Sequence, residues 1–469
     1  MDLDELQRHR DLVGQGLLGA DEDFLPPGKG YGEQGGETSD HPPAAGQAHR
    51  DIILLVSISD TSTFIGIGAL NRIIQEGSLD KKSSLGVAVV LMAAAGAWPL
   101  TQLQSPLADL YRKGSVKLVR VAEVDEASLP KDVFFQDATD VREDARGNVY
   151  VCDSRACSVF KFDPAGKYLK SIGRKGQGPG EFNLPYRIAV TSDKLFVYDL
   201  MNRRLCALTL DGEYVKSVPL VTGEGRPEGM MSLPNGDLVM GWETVHYEDR
   251  TKPQDYEVRV YAPDLTLRKS LSKHAIWRNK YMQIEGFGRS TNVIQPFSPL
   301  VSWAVTADGK VVVGFQKNYA VDVYDPARGK VASFTHPYDP LAVTDKDKEA
   351  FFGSLTFGSM DSSGNMGTVQ KGTPDPIVKA TEFPKAKPAF FDLLADSEGN
   401  ILVFPYRKIR DEEGRVFDAF SSEGKFLGTV KIEGSERLPR DAVVRNGAFW
   451  ATRTDAEGNV RVVKFRISA

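Results

Sequence analysis

The side chains able to do chemistry are few and scattered. Of the six histidines, His246, His274 and His336 fall in the strand-rich part of the chain. None sits at a short metal-ligand spacing, and neither a Cys-pair motif nor an Asp-rich calcium loop is present. Three unrelated surface histidines is the plain reading; a shared metal would require distant segments to bring them together. No Gly-x-Ser-x-Gly elbow occurs, so a Ser–His–Asp triad would also have to assemble from afar. Cys152 and Cys157 bracket four residues between two adjacent strands, a spacing that suits a disulfide in an oxidising compartment. Two buried thiols behaving as small hydrophobes suit it equally. Cys206 is left over.

Composition bounds the scaffold that carries these groups. The 469 residues are 41% hydrophobic and 26% charged, enough for a core and too apolar for wholesale disorder. With 58 basic against 63 acidic side chains the net charge is -5, which argues against coating nucleic acid. Forty-four glycines and 26 prolines favour many turns.

From residue 116 onward short β-branched and aromatic runs alternate with Asp/Gly turns, and a unit repeats. Its first strand recurs at 149–151, 195–197, 238–240, 311–313, 401–403 and 448–450. Its second recurs at 159–162, 205–208, 258–261, 321–324, 416–420 and 462–465. A third follows at 168–172, 214–218, 267–271, 331–334 and 426–430, and the sixth unit ends before it can form one. An unassigned strand at 116–122 precedes the first unit. A ring must avoid an open edge, so this N-terminal strand is expected to complete the last blade. The pattern predicts an all-β, six-bladed β-propeller over 116–469.

Two spacings exceed one blade, placing insertions near 243–300 and 335–395. The first carries Trp277, Arg278, Tyr281, Phe287 and Arg289, side chains typical of contact surfaces. In the second, Thr344 can cap a short helix with Asp347 at its third position. Polar and aromatic residues that follow the repeat strands, Asp153, Arg155, Asp199, Arg203, Trp242 and Tyr406, are expected at one end of the ring, with turn or inter-blade hydrogen bonding as the plainer alternative.

The loop GRKGQGPGEF (173–182), followed by Asn183-Leu184-Pro185, resembles the inter-blade motif of NHL-repeat propellers. With Asp153 and Asp199 it is similar to a bacterial group of secreted 6-bladed β-propellers, over roughly 116–467. The resemblance implies fold more than activity. A related propeller lyase class holds a metal with inner-rim histidines, which would make His246, His274 and His336 the ligands here. Physically, the loop's glycines, Gly173, Gly176, Gly178 and Gly180, allow positive φ, Pro179 stiffens it, and Phe182 can wedge between blades. A phosphate cradle would need a helix after the loop, whereas Pro185 and a strand-like run, 186–190, follow.

Residues 1–80 read as disordered or as an upstream segment assigned by too early a start. Lys81-Lys82, the uncharged run 85–98 and the small-residue exit Ala95-Gly96-Ala97 have the form of a signal peptide; a signal anchor in the inner membrane is the alternative. The sequence thus predicts an exported, periplasmic or extracellular, monomeric ring with no membrane span once mature and no evident cofactor. It would be a non-enzymatic binding or scaffold propeller recognising a peptide, glycan or partner protein at the funnel or the insertion loops. The alternative is a metal-dependent propeller lyase or hydrolase acting at the central channel.

Overall fold

The computed structural model describes residues 53–58, 61–66 and 106–469, apart from 125, 221–224, 247–248, 250–251, 285–286, 361–365, 372–374, 408–413, 440–441 and 455–458; for 281–292 and 356–371 it describes backbone only. The signal-like segment 81–98 therefore lies outside the described residues. In a separate unit, β1 (Ile53–Ile58) and β2 (Thr61–Gly66) pair as an antiparallel hairpin. The rest begins with α1 (Pro106–Arg112) and β3 (Ser115–Glu123).

Four four-stranded antiparallel sheets and a fifth set of four strands within a larger sheet follow, each running from the channel outward. Blade 1 is β4 (Ala138–Glu143), β5 (Val149–Asp153), β6 (Ser158–Phe162) and β7 (Tyr168–Ile172). Blade 2 is β8 (Pro185–Val190), β9 (Lys194–Asp199), β10 (Arg204–Thr209) and β11 (Tyr214–Pro219). Blade 3 is β12 (Arg226–Ser232), β13 (Leu238–Thr244), β14 (Gln254–Tyr261) and β15 (Leu267–Ile276). A hairpin, β16 (Asn279–Ile284) and β17 (Phe287–Ile294), is inserted before blade 4: β18 (Val301–Val305), β19 (Val311–Phe315), β20 (Ala320–Asp325) and β21 (Gly329–Thr335). The second insertion holds α2 (Asp345–Ser354), a hairpin of β22 (Thr356–Met360) and β23 (Met366–Lys371), and α3 (Asp375–Ala380). Blade 5 is β24 (Phe390–Ala395), β25 (Ile401–Pro405), β26 (Val416–Phe420) and β27 (Phe426–Glu433), and β28 (Ala448–Thr454) and β29 (Val460–Ser468) belong to blade 6.

The chain is a six-bladed β-propeller. The repeat visible in the sequence comprises the second, third and fourth strands of blades 1 to 5 and the second and third of blade 6, and in blades 1 to 5 an innermost strand adds one more. Burial explains the difference. Second strands such as β5 and β25 are buried along their whole length between neighbouring blades, so they read as unbroken apolar runs. Innermost strands turn one face to the channel, and β4 alternates buried and half-buried residues through Ala-Thr-Asp-Val-Arg-Glu.

Six apolar cores separate six blades, so the ring is closed. Phe182 lies buried in the core between blades 1 and 2 with Tyr150, Ile172 and Ile188. The N-terminal strand closes the last blade: β3 pairs antiparallel with β29, from Val463↔Glu123 to Ser468↔Lys117. It also pairs in parallel with β27, Lys431↔Ser115 to Glu433↔Lys117, which fuses blades 5 and 6 into one seven-stranded sheet. Helix α1 adds to this clasp. Tyr111 is fully buried, packs edge-on against Phe417 and donates to Asp396 Oδ2 at 3.0 Å. Among the described residues no helix is long and apolar enough to cross a membrane.

Candidate functional site

Antiparallel pairing fixes two ends of the channel. Innermost strands begin where second strands finish, as Ala138↔Asp153, Pro185↔Asp199, Arg226↔Glu243 and Phe390↔Pro405 show. Most of the polar residues expected at one end of the ring do lie there, but the structure gives several of them internal work. Asp153, fully buried, accepts from the backbone N–H groups of Gln136, Asp137 and Ala156. Asp199, also fully buried, accepts from Asn183 N, Asn202 Nδ2 and Arg204 Nε. Each carboxylate ties the end of a second strand to the segment entering an innermost strand, so the expected ligand role does not fall on them. Trp242 is buried against Tyr261 with Arg259 over its ring, and is core. Arg155 is exposed on its turn, and Arg203 has positive φ in the β9–β10 hairpin.

The glycine-rich loop is built the opposite way from a phosphate cradle. Its carbonyls at Gln177, Gly178 and Glu181 point to the Arg204 guanidinium, while Gly178 N is taken by Glu181 Oε2. That backbone bond and Arg174 hold the Glu181 carboxyl below its ordinary range. A Cβ on Gly173 (φ 82°) would stand 2.3 Å from the Phe182 ring, so glycine there is what lets Phe182 seat. Gly176 and Gly178 instead make room for the Glu181 side chain, Gly180 has φ 72°, and Gly178 does not adopt the positive φ expected of it.

Both insertions rise from this same end. Arg278, expected as a contact residue, is instead buried in a charge cluster: its NH1 lies 2.5 Å from Glu228 and 3.4 Å from Glu243, and Arg226 pairs with both acids at 2.9 Å. Burial works against the Glu228 charge, but Arg278 and Arg226 outweigh it and hold its carboxyl at about 2. Burial pushes the Glu243 carboxyl up. Arg278 thereby docks the first insertion onto β12 and β13. Trp277 remains 37% exposed, with Lys280 Nζ 5.7 Å from its ring centre. Arg289 lies on β17, but its side chain is outside the described residues. Lys280 reaches Glu382 of the second insertion, and α3 packs on β16. Thr344 and Asp347 form the expected capping box of α2, and Asp347 also binds Lys387 at 2.8 Å. Lys387 lies 5.4 Å from the rings of both Phe297 and Tyr406, in a half-buried aromatic cluster with Phe351, Phe352, Phe383 and Phe391.

The histidines do not converge. His246 pairs with Asp255 at 3.2 Å, His274 stacks on Phe315 with its pKa lowered by burial, and His336 stacks on Phe426. Among the described residues no group of three His, Cys, Asp or Glu side chains could hold a metal. Of the two readings of the cysteines the structure has the free thiols: Cys152, Cys157 and Cys206 are all unbridged and buried.

At the opposite end, the turns joining innermost to second strands frame a funnel of about 430 Å³ to which all six blades contribute. Small apolar residues such as Val190, Ala304 and Ala395 line it, with Thr191, Ser232 and Thr306 among them. Trp450 is at its wall, donating to Glu143 Oε2 at 2.7 Å. Sequence reasoning missed Glu228, Lys387 and Arg445, whose innermost strand and linkers lie outside the visible repeat, and Glu243 and Lys464, which lie on the second and third strands of their blades but meet partners distant in sequence.

Residues 130–295, blades 1 to 3 with the first inserted hairpin, match a family described as a 6-bladed beta-propeller. No curated protein matches the chain. Similar solved structures include a member of the DUF4221 family from Bacteroides vulgatus ATCC 8482, at 13% identity over 76% of this chain and 99% of that one, with a TM-score of 0.44. A candidate exported protein from Bacteroides fragilis NCTC 9343 aligns at 11% identity over 76% and 96%, with a TM-score of 0.44. Virginiamycin B lyase from Staphylococcus aureus aligns at 13% identity over 75% and 99%, with a TM-score of 0.35.

Proposed function

We propose that the chain is an exported binding propeller that holds a peptide or partner protein on its insertion-bearing end. The observation that carries this reading is the meeting of the two insertions there, through Lys280–Glu382 and the packing of α3 on β16. They present exposed Trp277 and a half-buried aromatic cluster around Lys387 on a rigid ring. Aromatic side chains with a cation supply large contact area at low conformational cost, which suits recognition of a protein surface. Photo-crosslinking tests it in the producing cell: a benzophenone side chain at Trp277 is expected to give a discrete adduct that the same probe at Leu169, on an outer strand, does not give. Equal labelling at both positions sinks the reading. Export rests on the segment 81–98, and N-terminal sequencing checks it; a mature protein beginning well before Trp98 overturns cleavage.

A further inference from the structure

We propose that a groove between blades 6 and 1, opening beside the funnel, binds a small organic monocarboxylate through Arg445 and Arg466. The site is at the end of the channel away from the insertions, so it stands or falls separately from the partner-binding reading.

The first observation is a break in the pattern of the turns. Six residues hold the same turn position, each donating its N–H to the second strand of its blade: Asp144, Thr191, Leu233, Thr306, Asp396 and Arg445. Asp144 and Asp396 accept backbone N–H groups of their own turns, as do the hydroxyls of Thr191 and Thr306. Blade 6 alone places a cation there. Its turn needs no side-chain cap, because Asn446 (φ 50°) and Gly447 (φ 68°) form a two-residue hairpin loop. Blade 5 steadies that loop through Ser397 Oγ, which accepts from Gly447 N at 3.1 Å. Arg445 is thereby released from turn duty while its backbone stays fixed.

The second observation is a charge imbalance in the groove. The groove, about 300 Å³, is lined by three cations, Arg445, Lys464 and Arg466, against two carboxylates, Glu143 and Asp144. Both carboxylates are already engaged. Glu143 Oε2 accepts from Lys464 Nζ at 2.8 Å and from Trp450, and Asp144 accepts from Arg146 N, Asn148 N and Asn148 Nδ2. The Arg445 guanidinium makes one hydrogen bond among the described residues, NH1 to the carbonyl of Glu143 at 2.8 Å. Neither Arg445 nor Arg466 has an ion-pair partner among the described residues. Burial lowers the Arg445 pKa, while Glu143 and Asp144 act against it and Arg142 adds to it.

One positive charge in excess suits a monoanion, and a planar guanidinium suits a carboxylate taken through two parallel bonds. A dianion would meet the fixed charges of Glu143 and Asp144. The groove shares Glu143, Asp144, Ala145, Arg445 and Asn446 with the funnel, so a ligand anchored at Arg445 has room for its body among small apolar and hydroxyl side chains. A sugar acid and an N-acylated amino acid share this chemistry.

Calorimetric titration of the full chain with galacturonate, N-acetyl-leucine, their neutral methyl ester and amide counterparts, and inorganic phosphate tests the assignment. At least one of the two acids is expected to bind, and which of them does identifies the source. Its neutral counterpart and phosphate should bind at least tenfold more weakly. Arg445→Met and the exposed Arg466→Gln should each weaken the acid tenfold or more, while Lys280→Ala at the other end leaves it unchanged. Arg466→Gln keeps the test informative if Arg445→Met fails to fold. Binding of neither acid up to about 10 mM, equal binding of acid and neutral counterpart, tighter binding of phosphate, or indifference to Arg466→Gln would overturn it.

Discussion

Asp199 shows the work that a polar side chain at a strand end can do inside a blade. A carboxylate that ends a strand near a channel mouth reads as a ligand contact, yet this one is buried with three donors on it. Asp199→Ala would leave Arg204 and two N–H groups buried without their acceptor, at a cost of about 3–5 kcal/mol. Asp199→Asn keeps an acceptor for Asn183 N and should cost less than half of that. Urea unfolding measures both, and a loss under about 1 kcal/mol for the alanine variant would contradict the structural role. The cysteines give a second test at this scale. Burial pushes the Cys206 thiol up to about 11 and Cys152 well above its ordinary value. Between the unfolded value of 9.0 and about 11 the folded state keeps a Cys206 proton that the unfolded chain has lost, so that contribution to stability falls as pH rises through this window. At pH 8 native protein should resist iodoacetamide and take up three equivalents only when unfolded; fast labelling of the native state would contradict the burial.

At the scale of elements, legibility followed burial. Strands enclosed by neighbouring blades were readable as apolar runs, and the spare strand at 116–122 was readable as the missing edge of blade 6. Innermost strands other than β8 were not: Arg-Pro-Glu-Gly-Met-Met-Ser in β12 has no long apolar run and owes its place to the ladder with β13 and to the arginine pair on Glu228. The same blindness hid the insertion's anchor: Arg278 looked like a contact residue because nothing in its own segment reveals Glu228, 50 positions away. Helix α1 was unreadable since its seven residues are held by blade 5 rather than by propensity. Two deletions separate these contributions. Removing residues 1–104 should leave the melting temperature of the ring unchanged, whereas removing 1–123 takes away α1 and β3, bares the edge of β29 and should abolish a cooperative transition. A cooperative melt after the longer deletion would show that the clasp is dispensable. Phe182→Ala, in the seam between blades 1 and 2, should cost about 3–5 kcal/mol, read as a lower urea midpoint.

A propeller spreads its stability over seams, and all six here are crossed by continuous chain, β3 of blade 6 leading directly into β4 of blade 1. Only the seam structure around blade 6 depends on two distant segments finding each other, β3 from the N-terminal side and β29 at the C-terminus. Each blade buries its faces only against its neighbours, so a ring that loses this pairing loses two seams at once, those of blade 6 with blade 5 and with blade 1. The clasp is therefore the expected first opening on heating. Lys117 and Ser468 are direct partners across the antiparallel pair and share a face, and Lys117 is exposed, its 3.7 Å approach to Glu433 being a surface pair of little worth. Lys117→Cys with Ser468→Cys should accept a disulfide, and the buried native thiols should not compete for it. By closing nearly the whole ring in the unfolded chain, the bond should add about 2–4 kcal/mol, a rise of about 5 °C in Tm that reductant reverses. If the disulfide forms and the melting temperature does not move, the ring opens first at another seam and the clasp is not its weak point.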